Sequence, residues 1–437
     1  MKTRTLRQIL HLRLRRIFWP KLRRRSLFLL GGVTIGLLAA LMAVLADKAQ
    51  LLFFSVEHRW PLAPLIITPA GFALSTWLTR KYFNGAQGSG IPQVIAARQL
   101  ADPKARAALV SIRIAIAKIG LLMLGLLAGA SSGREGPTVQ VGAATMFALG
   151  RLAPHRQPGL LLAGSAAGIA AAFNAPLAGI IFGIEEMSRS FEVRSSGLVL
   201  VTVITAGLTA LAIFGDYNYF GIATGSLAFG WQWLAVPVVG IIGGVCGGLF
   251  SRVIILFADG LPGRIGQLIR RYPVIFAALC GLAVALCGVA AGGSIFGTGY
   301  EQSKAILAGD ALPGLFGPLK LVATALSSIS GIPGGIFSPS LAVGAGIAYD
   351  LSPLLPQVPI GVLAILCMSS YLAGVVQAPL TAFVIVGEMT ADHALIFPIM
   401  ICALIASAIS RLICREGIYH ALARRLTKGQ EVIQRHA

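Results

Sequence analysis

The sequence predicts an all-α integral membrane protein built from two related halves, and three observations carry that prediction. Only 12% of the 437 residues are charged while 56% are hydrophobic, against roughly 25% charged in soluble domains. So few charges cannot cover a water-soluble body of this length. Apolar runs of membrane-crossing length recur along the chain. The sequence also repeats itself: 118–145 aligned with 320–347, an offset of 202, gives eight identities in 28 positions.

Taken in order, the chain opens on residues 1–25, which hold ten Lys/Arg and no acid, and ends on 411–437, which hold six Lys/Arg and two Glu. These ends supply +10 and +4 of the net +20. The charge therefore reports topology, placing both termini on the cytoplasmic side. Nucleic-acid binding would need that charge spread over a folded soluble face, so it is excluded. The basic segment predicts an interfacial helix with Phe18 and Trp19 at headgroup level; the alternative is a disordered tail. The apolar run 26–46 is too long for a signal-peptide core and is followed by others, so it is retained. Further runs fall at 62–79, 109–130, 159–184, 197–214, 233–257, 273–291, 312–329, 357–376 and 394–413. Crossing a hydrocarbon core of roughly 30 Å takes about 20 residues. Three stretches, 137–150, 336–349 and 378–389, are shorter and cut by Gly and Pro. Such broken segments survive at membrane depth only inside protein or along a polar cavity, and they mark substrate sites in transporters.

The repeat pairs Gly133 with Gly335, Pro137 with Pro339 and the Val-Gly-Ala triplets at 141–143 and 343–345. At an offset of 203 it pairs Ala175-Pro176-Leu177 with Ala378-Pro379-Leu380, and Glu185 with Glu388. The chain thus divides into a basic N-terminal segment (1–25), a first membrane repeat (26–220), a second (221–415) and a cytoplasmic tail (416–437). The linker falls in 215–230, which opens with Asp216, Tyr217, Asn218 and Tyr219. The offset alone does not say whether the halves are parallel or inverted.

Four constellations carry chemistry. Gly88-Ser89-Gly90-Ile91-Pro92 opens a helix: Gly permits close backbone approach, Ser offers a hydroxyl and Pro suits a first turn. Free N–H groups and the positive dipole end make a helix start fit for an anion, although a turn and N-cap explain the motif equally. In Gly133-Arg134-Glu135-Gly136-Pro137, Glu135 stands between two apolar runs, where a carboxylate is costly and by default functional. Ionised, it is held at a helix start; protonated, it loses that attraction. It can therefore compete with an anion and carry a proton. Its structural alternative is an ion pair with Arg134. Gly334-Gly335-Ile336-Phe337-Ser338-Pro339 is the counterpart in the other half and has no acid, leaving the amides of Ile336 and Phe337 for an anion. Its alternative is a plain helix break. Finally, Glu185 and Glu186 end the run 159–184 beside Arg189 and Arg194, which place that end in the cytoplasm. They form either a solvated terminus or a point where protons enter. Glu388 is expected to be structural.

Other features read as packing. Gly240, Gly244 and Gly248 have the spacing of a helix contact. Lys118 and Lys320, at equivalent repeat positions, either snorkel or add positive potential near an anion path. The six cysteines lie in or beside apolar runs without Cys-x-x-Cys spacing and read as buried small hydrophobes. The histidines are scattered, so no metal and no cofactor is expected.

On GSGIP at 88–92, GREGP at 133–137, GGIFSP at 334–339 and the C-terminal segment with Tyr419, all in order, the chain resembles the CLC family of chloride channels and proton-coupled chloride transporters. The resemblance implies a CLC-type fold of about eighteen helices in two inverted repeats, many short or broken, and a homodimer with an anion pathway in each subunit. It implies chloride ligands at Ser89, Gly90 and Tyr419, with the amides of Ile336 and Phe337. It makes Glu135 the external gating glutamate and Glu186 the internal proton glutamate of the transporter branch, a position where channels usually lack an acid. Ser89 fits chloride, where nitrate-preferring members tend to have Pro, and the family's fluoride exporters depart from the GSGIP and GREGP patterns intact here. No tandem regulatory domain is expected after Tyr419, since 18 residues remain. The expected function is chloride/proton antiport in a bacterial inner membrane, not enzymatic catalysis. A passive or voltage-gated chloride channel of the same family is the alternative. A remote one is an intramembrane serine hydrolase built on Ser-Ser-Ile-Ser-Gly at 327–331 and His393, which lacks the Gly-x-Ser-Gly element.

Overall fold

The structure is a computed structural model and describes residues 6–150, 157–188, 196–215, 219–221, 226–390 and 393–436. Arg189, Arg194, Asp216, Tyr217 and Asn218 lie outside the described residues, as do the side chains of Phe18, Trp19 and His393. Among the described residues there are nineteen α-helices and no β-strand. Six segments are long and apolar enough to cross a membrane, among them Arg25–Arg59, Trp231–Asp259 and Ile396–Ile413. The basic N-terminal segment does not form a separate interfacial helix. It runs without a break into the first apolar run as Leu6–Arg59.

Solvation of the side chains is inverted relative to a soluble protein. Ile116, Leu279 and Leu286 are more than half exposed, while Lys118 and Lys320 are fully buried. An apolar outer surface around a core holding ionisable groups is stable in lipid, where exposing Leu carries no penalty.

The helices of the two halves follow the same order. Ile112–Leu127, Glu135–Leu149 and Gln157–Phe173 correspond to Phe316–Ile329, Phe337–Leu351 and Ile360–Val376. Glu135–Leu149 packs on Gln157–Phe173 as Phe337–Leu351 packs on Ile360–Val376. The apolar run 159–184 is two helices rather than one. Asn174 takes a left-handed φ of 53° and Pro176 starts the helix Pro176–Phe182. The second half breaks at the same register, with Gln377 at φ 60° before Pro379.

A local two-fold relates the halves at their contact. Gly133 and Gly335 exchange both backbone hydrogen bonds, each 2.8 Å, as an antiparallel bridge. The matched acids reciprocate too. Glu388 accepts from the N–H groups of Leu177 (3.0 Å) and Ala178 (2.6 Å), and Glu185 from those of Leu380 (3.1 Å) and Thr381 (2.6 Å). Each carboxylate caps the helix start of the opposite half, the structural role expected of Glu388 and shared by Glu185. Glu185→Ala and Glu388→Ala should each lower thermal stability in detergent by about 1–2 kcal/mol. An unchanged unfolding midpoint in both would deny the clamp.

The two lysines do not snorkel. Lys118 Nζ donates to the carbonyls of Ala86 (2.6 Å) and Gly88 (2.7 Å), and Lys320 Nζ to those of Ile295 and Gly297 (both 2.8 Å). These carbonyls correspond at an offset of 209, which aligns Gly297-Thr298-Gly299 with Gly88-Ser89-Gly90. Irregular backbone at membrane depth needs such partners. Lys118→Met should therefore destabilise the protein by about 3 kcal/mol, read as a lower unfolding midpoint; a shift within error would mean that the loop does not depend on the ammonium. The glycines Gly240, Gly244 and Gly248 pack against the helix Ile396–Ile413, as their spacing implies.

Candidate functional site

The three Gly/Pro-marked motifs meet. Besides the Gly133–Gly335 pair, Gly88 donates to the Ile332 carbonyl at 3.2 Å and Gly334 donates to that of Gly88 at 3.0 Å. The loops thus satisfy one another's backbone groups, and the helices Ile91–Gln99, Glu135–Leu149 and Phe337–Leu351 all start from them. Gly90 is the N-cap of the first, at φ 100°, which a side chain would strain. A Cβ at Gly136 would run into the Ser89 hydroxyl and carbonyl. Its absence lets the serine lie against the start of Glu135–Leu149.

Glu135 is fully buried, and its carboxylate reaches across to the other half. Oε1 accepts the Ser338 hydroxyl at 2.5 Å and Oε2 accepts the Ser338 N–H at 3.4 Å. The side chain therefore sits on the amide end of the helix Phe337–Leu351, where an anion is favoured by the unpaired N–H groups and the dipole. Arg134 forms no direct ion pair with it. That guanidinium pairs with Asp47 at 2.9 Å and donates to the Ala43 carbonyl at 3.1 Å. The ion-pair alternative for Glu135 is thereby replaced by a charge on a helix start.

Ser89 Oγ and Tyr419 Oη are both buried and face each other, with no further hydrogen-bond partner. Both hydroxyls can donate to an anion. Tyr419 stands in the first turn of Ile418–His436 and stacks on Phe337, with ring centroids 6.0 Å apart and planes at 20°. Phe337 also meets Phe173 and Phe182 edge-on at 6.0 and 6.2 Å. These aromatic walls exclude water, which strengthens every charge interaction at the helix starts. By contrast, the equivalent Thr298 has its N–H at 2.8 Å and its hydroxyl at 3.2 Å from Gln50 Oε1. The second half closes with a side-chain amide what the first leaves to two facing hydroxyls.

Glu186 lies apart from this cluster, on the π-helical turn Gly183–Ser188 that prolongs Pro176–Phe182. Such turns are rare and recur at functional sites. The turn lets consecutive acids diverge: Glu185 caps the opposite half, while Glu186 is 3% exposed with Oε1 3.4 Å from His420 Nε2. Both acids line a cavity of about 550 Å³ together with Arg411, Arg415, Arg424 and His420. Tyr419 is in electrostatic reach of both Glu135 and Glu186. The serines at 327–330 serve the backbone: Ser327 Oγ accepts from the Ser131 N–H, and Ser330 Oγ donates to the Ser327 carbonyl.

Sequence reasoning missed Ser338, which holds the glutamate, and His420. Ser338 aligns with Gly136 in the repeat, so the comparison of halves hid it; a hydroxyl beside the Pro of a helix start was the available signal.

A family profile described as Voltage gated chloride channel matches residues 71–411. Curated relatives include the H(+)/Cl(-) exchange transporter ClcA of Salmonella arizonae, 33% identical over 92% of this chain and 89% of that protein. The ClcA of Yersinia pseudotuberculosis is 34% identical over 89% and 82%. Among solved structures, a slow cyanobacterial Cl-/H+ antiporter matches with a TM-score of 0.79 at 24% identity, covering 94% of this chain and 99% of that one. A CLC-type fluoride/proton antiporter matches at 0.77 and 24%, over 91% and 97%. The fold is that of the CLC transporters, membrane-spanning and all-helical. The chain belongs to the voltage-gated chloride channel family.

Proposed function

We propose that this protein exchanges chloride for protons across a bacterial inner membrane. The observation that carries the proposal is the Glu135 carboxylate on the amide end of Phe337–Leu351. Ionised, it occupies the place that suits chloride. Protonated, it loses its attraction to the helix end and leaves, so that one site serves a carboxylate and an anion in turn. Chloride is held by the hydroxyls of Ser89 and Tyr419, by Gly90, and by the amides of Ile336 and Phe337. Protons enter from the cytoplasm at Glu186 and pass to Glu135. The intact GSGIP and GREGP motifs favour chloride over fluoride.

The curated relatives are named as exchangers, which supports antiport over passive conduction. The basic ends of the chain support cytoplasmic termini, and the matched helix order supports two repeats, read as 26–220 and 221–415. The protein works as a homodimer. The exposed stripe of Leu200, Ile204 and Leu208 on Ser196–Phe214 offers an apolar face for a second copy.

The test is proton movement in proteoliposomes with the voltage clamped by potassium and valinomycin. An imposed chloride gradient should drive protons against their own gradient. Chloride flux with no proton movement would leave a passive channel as the function.

A further inference from the structure

The first turn of Ile418–His436 carries two adjacent residues that face different chemistry. Tyr419 stacks on Phe337 at the anion site. His420, the next residue, turns its Nε2 to within 3.4 Å of Glu186 Oε1. Its side chain is 17% exposed and that of Glu186 is 4%. The imidazole and the carboxylate both line the cavity, and the ring offers it more surface than Glu186 does. We propose that His420 is the proton relay between the cytoplasmic cavity and Glu186. The proposal rests on the reading of Glu186 as the internal proton acceptor.

The step balances simply. Cavity water gives a proton to the neutral ring, which becomes imidazolium. The ring then passes its Nε2 proton to Glu186 Oε1, leaving a neutral imidazole and a carboxylic acid. The carboxylic acid hands that proton on toward Glu135, and the ring is recharged from the cavity. Histidine is the side chain whose ordinary titration falls between about pH 5 and 8, so it both accepts and releases protons under cytoplasmic conditions.

The other charged groups around the ring are engaged elsewhere or sit at the cavity wall. Glu185 caps the N–H groups of Leu380 and Thr381. Glu416 pairs with Arg424, and Arg411 donates to the Gln377 carbonyl at 3.4 Å. Arg415 lines the cavity. From the helix Ile91–Gln99, Arg98 donates to the carbonyls of Met187 and Pro158. Among the described residues lining the cavity His420 is the one histidine, and its Nε2 stands against Glu186. Three arginines and three glutamates line the cavity, so the ring stands in a wall of balanced formal charge.

The test uses the full chain in proteoliposomes, comparing wild type, His420→Ala, His420→Gln and Glu186→Gln, with protons moved per chloride measured across internal pH 5.5–8. Both His420 variants should lower that ratio by about tenfold near neutral pH and flatten its pH profile. Imidazole added on the cavity side should restore the ratio in His420→Ala, where it can take the place of the missing ring, and should do nothing for Glu186→Gln. An unchanged ratio and pH profile in both His420 variants, beside an uncoupled Glu186→Gln, would overturn the relay alone. Loss of proton and chloride flux together without imidazole rescue would make His420 structural and overturn it as well. Proton flux retained in Glu186→Gln would instead remove the acceptor on which the relay depends.

Discussion

Glu135→Gln will abolish proton transport while chloride continues to cross. Glutamine keeps the length and one acceptor oxygen of the glutamate, so the Ser338 hydroxyl still has a partner and the helix start Glu135–Leu149 is undisturbed. It cannot ionise, so it neither carries a proton nor holds the amide end of Phe337–Leu351 with a full charge. The competitor for the anion is weakened and the coupling step is gone. Proton flux should fall at least about a hundredfold, to the leak of the vesicles, in line with the loss of a proton-transferring group. Simultaneous pH and chloride electrodes on proteoliposomes read both fluxes. Retained coupling would remove Glu135 from the mechanism.

Glu186→Gln should uncouple the protein from the other side. Glu186 stands on the π-helical turn away from Ser89, Phe337 and Tyr419, so its replacement leaves the anion site in place. An amide in its position cannot take a proton from the cavity, and Glu185 cannot substitute because both its oxygens cap the opposite half. Proton flux should drop by about two orders of magnitude, with chloride still moving down its gradient. Coupling that survives would point to another internal acid. Survival in the double variant Glu185→Gln/Glu186→Gln would exclude this acid pair altogether.

Much of this was legible in the sequence because membrane helices carry strong signals. Charge depletion, the apolar runs and the repeat gave the class and the two-half plan. The three motifs gave the helix starts that converge. The break inside 159–184 was hidden because an apolar run looks the same whether one helix or two. Its counterpart at Gln377–Pro379 was visible, so applying the repeat in reverse would have found it. The alignment of Gly297-Thr298-Gly299 with Gly88-Ser89-Gly90 escaped because intervening insertions move the offset from 202 to 209. Partners were harder than positions. The burial of Glu135 could be read from its apolar neighbours, but its bond to Ser338 depends on how two halves cross. The diverging roles of Glu185 and Glu186 depend on a π-helical turn that no local pattern announces. The aromatic stack of Phe337 on Tyr419 joins residues more than eighty positions apart and belongs to tertiary structure alone.

The most direct test is the proton linkage of chloride binding, measured by titration calorimetry in buffers of different ionisation heat. If Glu135 and chloride share one amide end, protonating the glutamate frees the site, so chloride must bind more tightly as pH falls. By reciprocity, binding chloride must draw protons onto the protein. The wild type should take up protons on binding chloride, and Glu135→Gln should bind chloride with that uptake lost. Chloride binding to the wild type with no proton uptake at any pH would contradict competition between the carboxylate and the anion.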